Sequence, residues 1–242
     1  MSVTAMSARG GWKLGVLVIA SLLGVIFGCA TVETRKPSAP AATSAEIAEA
    51  VAVLRRPLPG PLVALYRLRV PSTGGLRLSV IADGNRGRMT VSENLGGALA
   101  ILAWDGEGSR IFDLKEGCRP SDRDRPTIPG MEGLPMDRAV LLMGGRLPVI
   151  PGDVVRPDDG NSTVEIDGSG WSASVRLAFD PVRILSVRGA GWSMELGDHT
   201  SSLPGMLRFE TSSDQWAELE LVRLQWKFEG KWAPLPDLPE CR

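Results

Sequence analysis

From Leu62 onward the apolar residues recur with a period of two, and short clusters of turn residues interrupt them. This pattern favours strands. Successive strand residues face opposite sides of a sheet, whereas a helix returns to the same side only every third or fourth residue. The segments are Leu62–Val70 (LVALYRLRV), Leu76–Ile81 (LRLSVI), Arg86–Ser92 (RGRMTVS), Ala98–Trp104 (ALAILAW) and Ser109–Leu114 (SRIFDL). Between them stand Ser72-Thr73-Gly74-Gly75, Asp83-Gly84-Asn85, Asn94-Leu95-Gly96-Gly97 and Asp105-Gly106-Glu107-Gly108. Strands joined by such short turns pair antiparallel, so this half is predicted to be a meander of about five strands. The rhythm returns over Thr163–Asp167, Trp171–Phe179, Val182–Arg188, Gly191–Leu196, Met206–Thr211 and Ala217–Phe228, and in the last the alternation slips near Val222.

Two short helices punctuate this pattern. Over Ser44–Arg55 the residues Ile47, Val51 and Leu54 form one apolar stripe, with Ser44 as the N-cap candidate and Pro57, Pro59 and Pro61 ending the run. Met136–Met143 follows Pro135 and stops at Gly144-Gly145. Cys118–Gly133 is charged and proline-bearing and reads as a loop; the alternating Arg and Asp of Arg119–Arg125 cancel one another. The predicted class is mainly β (α+β), a curved antiparallel sheet with short lid helices. Ala98–Trp104 is apolar on both faces, and the two helices are too short to cover much of such a sheet. A curved sheet with helices at its mouth would enclose an apolar cavity of the kind that takes lipid; an ordinary closed core is the other arrangement.

The amino terminus addresses location. Arg9 and Lys13 precede an unbroken apolar run from Leu14 to Gly28, shorter than the ~20 residues a membrane-spanning helix needs. It ends in Ile26-Phe27-Gly28-Cys29: an aliphatic residue at −3, a small one at −1 and a thiol at +1. That is a lipobox, in which a small residue admits the peptidase and the Cys29 thiol accepts the lipid. An uncleaved anchor is the competing reading. No basic stop-transfer cluster follows at once, and residues 30–44 are rich in Ala, Thr, Pro and Ser, as a flexible tether would be. The chain is thus expected to comprise a signal peptide (1–28), a tether (29–43) and one β-rich domain (44–242), bound to a membrane through its lipid. In an oxidising compartment the remaining cysteines, Cys118 and Cys241, could form a disulfide or stay as thiols.

Chemistry-bearing patterns are sparse. With a net charge of −1, no global field draws nucleic acid. His199 is the sole histidine, without a nucleophile elbow or metal-ligand spacing around it, and reads as a surface loop residue. Asp158-Asp159-Gly160-Asn161 with Glu165 lacks EF-hand spacing and reads as a turn. No cofactor, metal site or catalytic residue is expected.

A lipobox cysteine and tether precede a helix and a meander. RGRMTVS and ALAILAW are joined through Glu93-Asn94-Leu95-Gly96-Gly97. Trp104-Asp105-Gly106 leads into SRIFDL, and LPMDRAVLLMGGRLP (Leu134–Pro148) forms a short helix and its stop. In this order of elements the chain resembles the LolB-like outer-membrane lipoproteins over about residues 62–148. The resemblance implies an incomplete β-barrel lidded by helices around an acyl-chain cavity. It also implies lipid or lipoprotein cargo handed over by a periplasmic carrier protein, and an insertion loop at Leu95 and Gly96 that helps place cargo in the membrane. Ala30 at +2 resembles lipoproteins destined for the outer membrane. The alternative is a cell-envelope scaffold or assembly lipoprotein that holds no ligand.

Overall fold

In the computed structural model the described residues are 42–227 apart from 72, 85, 95–96, 106–108, 114–116, 121–132, 159–161 and 212–214. The first element is a helix, α1 (Ser44–Leu54). Thr43, not Ser44, is its N-cap: the Glu46 amide donates to Thr43 Oγ1 at 3.3 Å, and the Thr43 amide donates to Glu46 Oε2 at 2.8 Å. This reciprocal pair is a capping box, which requires Glu or Gln three residues after the cap. Only Thr43, and not Ser44, has Glu46 at that spacing.

A meander then runs outward from the sheet centre: β1 (Leu62–Val70), β2 (Thr73–Asp83), β3 (Arg86–Glu93), β4 (Ala98–Trp104), β5 (Ser109–Asp113) and β6 (Gly117–Pro120). After helix α2 (Met136–Met143) a second meander returns to the centre: β7 (Val154–Asp158), β8 (Thr163–Gly168), β9 (Trp171–Phe179), β10 (Val182–Gly189), β11 (Trp192–Gly197), β12 (Met206–Thr211) and β13 (Trp216–Gln225). The 13 strands make one antiparallel sheet in the order β6-β5-β4-β3-β2-β1-β13-β12-β11-β10-β9-β8-β7. It is curved and does not close, an incomplete barrel with β6 and β7 as its two edges. The chain between those strands must pass from one edge to the other, and α2 lies on that path.

Three expectations need correction. Thr73, Gly74 and Gly75 belong to β2, because Thr73 pairs with Val70 across a tight turn. The expected loop loses its first three residues, 118–120, to the edge strand β6 (Gly117–Pro120). The strand β7 was not foreseen, since Pro157 argues against a strand reading. On an edge, however, proline removes no needed hydrogen bond and discourages further pairing. The slip near Val222 is a β-bulge: Leu65 faces Arg223 and Tyr66 faces Leu221, leaving Val222 as the extra residue, 55% exposed. Bulges of this kind add local twist and help a wide sheet to curl.

Alternation sets the core. From β1, Leu62, Ala64, Tyr66 and Leu68 point inward, while Arg67 and Arg69 point outward and pair with Glu220 and Glu218 at 2.8 Å each. These exposed pairs contribute only ~0.2–1 kcal/mol each, yet they agree with the β1–β13 register. The Tyr66 ring is fully buried and its hydroxyl has no hydrogen-bond partner among the described residues; burial pushes its pKa upward. Phe fills the same space without an orphaned hydroxyl, so Tyr66→Phe is expected to leave stability unchanged or raise it by up to about 1 kcal/mol. Chemical denaturation checks this; a loss above that size would mean the hydroxyl has a partner.

Candidate functional site

Helix coverage of the inner face is uneven. Helix α1 lies against β7, β9 and β10, burying Ile47, Ala50 and Leu54. Helix α2 buries Met136, Arg138, Ala139, Val140, Leu142 and Met143. Its Arg138 stacks over Trp171 of β9, 4.0 Å from the ring centroid, and Trp171 continues through Trp192 to Phe209 in a stacked row. Both helices therefore pack on the second meander, α1 on β7, β9 and β10 and α2 on Trp171 of β9.

The inner face of β2–β5 is different. Register aligns Leu78 with Val91, Val91 with Ala100, Met89 with Leu102 and Leu102 with Ile111. Every one of these side chains is apolar. Leu78, Met89 and Leu102 are buried, but Leu76, Val91, Ala100 and Ile111 are only half-buried. Leu78, Met89, Val91, Ala100, Leu102 and Ile111 surround a hollow of about 20 Å³, which is room for about one water molecule. The expected cavity is thus a shallow apolar seam, already largely filled by its own side chains.

The residues singled out by sequence fall unevenly across the structure. Leu95 and Gly96, Cys29 and Cys241 lie outside the described residues; around the first two, the Glu93 amide donates to the Gly97 carbonyl at 2.8 Å and closes the β3–β4 turn. Cys118 is placed by its backbone in β6, opposite Phe112. His199 lies at the turn after β11, with Nε2 2.9 Å from the Ile184 carbonyl. Among the described residues no group of three His, Cys, Asp or Glu could hold a metal ion, and no helix is long and apolar enough to cross a membrane.

Burial first, then the Arg183 charge, lowers the His199 pKa against the opposing effects of the Ile184 carbonyl and Asp198. The folded state therefore binds its proton less readily than the unfolded chain. The stability linked to His199 is present above the unfolded value of about 6.5 and is lost as pH falls through that value towards the folded one. His199→Gln is expected to flatten melting temperature against pH between pH 7 and 5; an unchanged slope would clear His199 of the role.

Sequence reasoning missed one constellation. Arg138 forms a two-pronged ion pair with Asp153: Nη1 to Oδ2 at 2.5 Å and Nη2 to Oδ1 at 3.0 Å. Its Nη1 also donates to the Pro148 carbonyl at 2.5 Å, and Asp153 Oδ2 accepts from the Ile150 amide at 2.9 Å. The one available signal was a lone arginine inside an otherwise apolar helix face.

No protein-family model and no curated protein matches the chain. Among solved structures, the chain is similar to a domain described as an outer-membrane lipoprotein-sorting protein from Vibrio parahaemolyticus. That match has 11% identity and a TM-score of 0.49, over 77% of this chain and 93% of that one. The chain is also similar to the Mycobacterium tuberculosis lipoprotein LppX, with 10% identity and a TM-score of 0.31, over 77% of this chain and 95% of that one.

Proposed function

We propose that this chain is a lipid-anchored, non-enzymatic protein of the cell envelope. It takes up acyl chains or acylated protein cargo on the inner face of β2–β5 and delivers them to the outer membrane. One observation carries the reading: β2–β5 line up apolar side chains of which Val91, Ala100 and Ile111 stay only partly buried, while α1 and α2 pack on strands of the second meander. The lipobox at Cys29 and the LolB-like turn around Leu95 and Gly96 support it from the sequence.

The mechanism is partition. Both the seam and a bilayer interior are apolar, so an acyl chain gains about 0.8 kcal/mol per CH₂ on leaving water for either. Transfer between the two is close to thermoneutral and needs no covalent step. A periplasmic carrier would bring the cargo, and the tether after Cys29 would let the domain reach the bilayer. The fit requires Val91, Ala100 and Ile111 to yield, because the hollow at rest holds about one water. That same small volume favours the second reading, a cell-envelope scaffold with a filled core and no ligand.

Uptake of a fluorescent apolar probe separates the two. The chain should bind it with one-to-one stoichiometry, and Val91→Asp with Ala100→Asp should weaken binding at least tenfold, since a carboxylate in an apolar seam is strongly disfavoured. A folded wild-type protein that takes up no probe would establish the scaffold instead.

A further inference from the structure

A second hollow of about 400 Å³ lies where the two helices end. Helix α1 stops at Arg55, its C-cap, followed by Arg56. Helix α2 stops at Gly144, and the Gly145 and Arg146 amides donate back to the Leu142 and Leu141 carbonyls at 2.9 and 2.8 Å. This tight C-terminal wrap places Arg146 two residues beyond the Gly144 cap, and it needs glycine at 145, whose φ is +67°. The Leu147 amide then donates to the Leu54 carbonyl at 3.0 Å and ties the two helix ends together.

Arg55, Arg56 and Arg146 thereby line one cleft beside Leu141, Val149 and Ile150, and among the described residues no Asp or Glu lines it. Among the described residues none of the three arginines forms an ion pair. Asp153, next in sequence to the lining residue Gly152, is paired with Arg138. The Arg146 Nε is buried without a hydrogen-bond partner.

Arginines near a helix C-terminus have an ordinary explanation, since they complement the negative end of the helix dipole. Charge counting shows that this is insufficient. Each helix end supplies roughly −0.5 of an elementary charge, so two ends offset about one of three positive charges. The cleft stays cationic. Burial, and then the Arg56 charge, works against the charged form of Arg146, a cost that an anion between the two would relieve.

We propose that this cleft binds the phosphate of an amphiphile, the arginines gripping the anionic head and Leu141, Val149 and Ile150 receiving the start of its apolar part. A guanidinium fork matches a phosphate in charge and geometry, and the mixed lining suits a molecule with one charged and one greasy end. The site is separate from the seam on β2–β5, so loss of apolar-probe uptake there neither supports nor removes it.

Titration calorimetry tests it with the full-length protein in a neutral maltoside detergent. Dihexanoyl phosphatidic acid should bind at least tenfold more tightly than dihexanoyl phosphatidylcholine, whose phosphate is masked by choline. Arg56→Gln with Arg146→Gln should weaken phosphatidic acid binding tenfold or more, with the circular dichroism spectrum unchanged. Arg188→Gln, an exposed arginine on β10, should leave binding unaltered. Should the double variant fail to fold, Arg55→Gln, at an exposed position, should still weaken binding several-fold. Inorganic phosphate competing at the same concentration as the lipid would uphold an anion site but overturn a lipid source. Equal affinities for the two lipids, or an unchanged affinity in folded arginine variants, would overturn the proposal.

Discussion

Replacing Arg138 with Met is expected to destabilise the fold by about 3–5 kcal/mol, the cost of breaking a buried ion pair from one side. Arg138 is fully buried and the Asp153 side chain is 2% exposed, so removing the guanidinium strands a carboxylate away from water. Met fills similar space, which isolates the charge from the volume. The Trp171 face also loses its cation, and the Pro148 carbonyl loses a donor. Against the ~5–15 kcal/mol stability of a typical domain, this is a large fraction. The double change Arg138→Met with Asp153→Leu should recover much of the loss, because a paired apolar replacement leaves no charge behind. Urea denaturation of the wild type and the two variants decides. A double variant no better than Arg138→Met would show that the pair's role is to hold α2 to the segment before β7, not to balance charge.

Cys29→Ser is expected to abolish lipid attachment altogether. In the wild type, protein extracted from membranes should begin at Cys29 and carry acyl mass on its first residue. In the variant the same fraction should retain residues 1–28 and carry none, since serine lacks the thiol that accepts the lipid. Two or more acyl chains, at about 0.8 kcal/mol per buried CH₂, make attachment effectively permanent. Intact-mass analysis reads both features at once. Wild-type protein that keeps residues 1–28 without added mass would replace the lipoprotein reading with an uncleaved anchor.

Much of the fold was legible because strands joined by tight turns encode themselves locally. Trp171–Phe179 and Met206–Thr211 agree with the observed strands residue for residue, and the failing alternation at Val222 marked a real bulge. The misses lay where local chemistry is ambiguous. Val154–Asp158 contains a proline that only an edge position tolerates, and Gly117–Pro120 is short and paired on one side. The candidate site was legible as a composition but not as a shape. ALAILAW announced a strand apolar on both faces, yet nothing in it shows that its inner residues meet a hollow of about 20 Å³.

Sequence by itself determined the elements that depend on neighbours a few residues apart: most strands of the two meanders, the two helices and their stops. Tertiary structure alone decided what depends on distant residues meeting. It set β1 beside β13 at the sheet centre, leaving β6 and β7 as open edges. It brought Arg138 onto Asp153 and Trp171, and drew Arg55 and Arg56 to Arg146 through the Leu54–Leu147 hydrogen bond. The physical reason is that a turn or a cap is stabilised by its own few residues, whereas a buried charge pair or a basic cleft exists only once the whole sheet has curled around the helices.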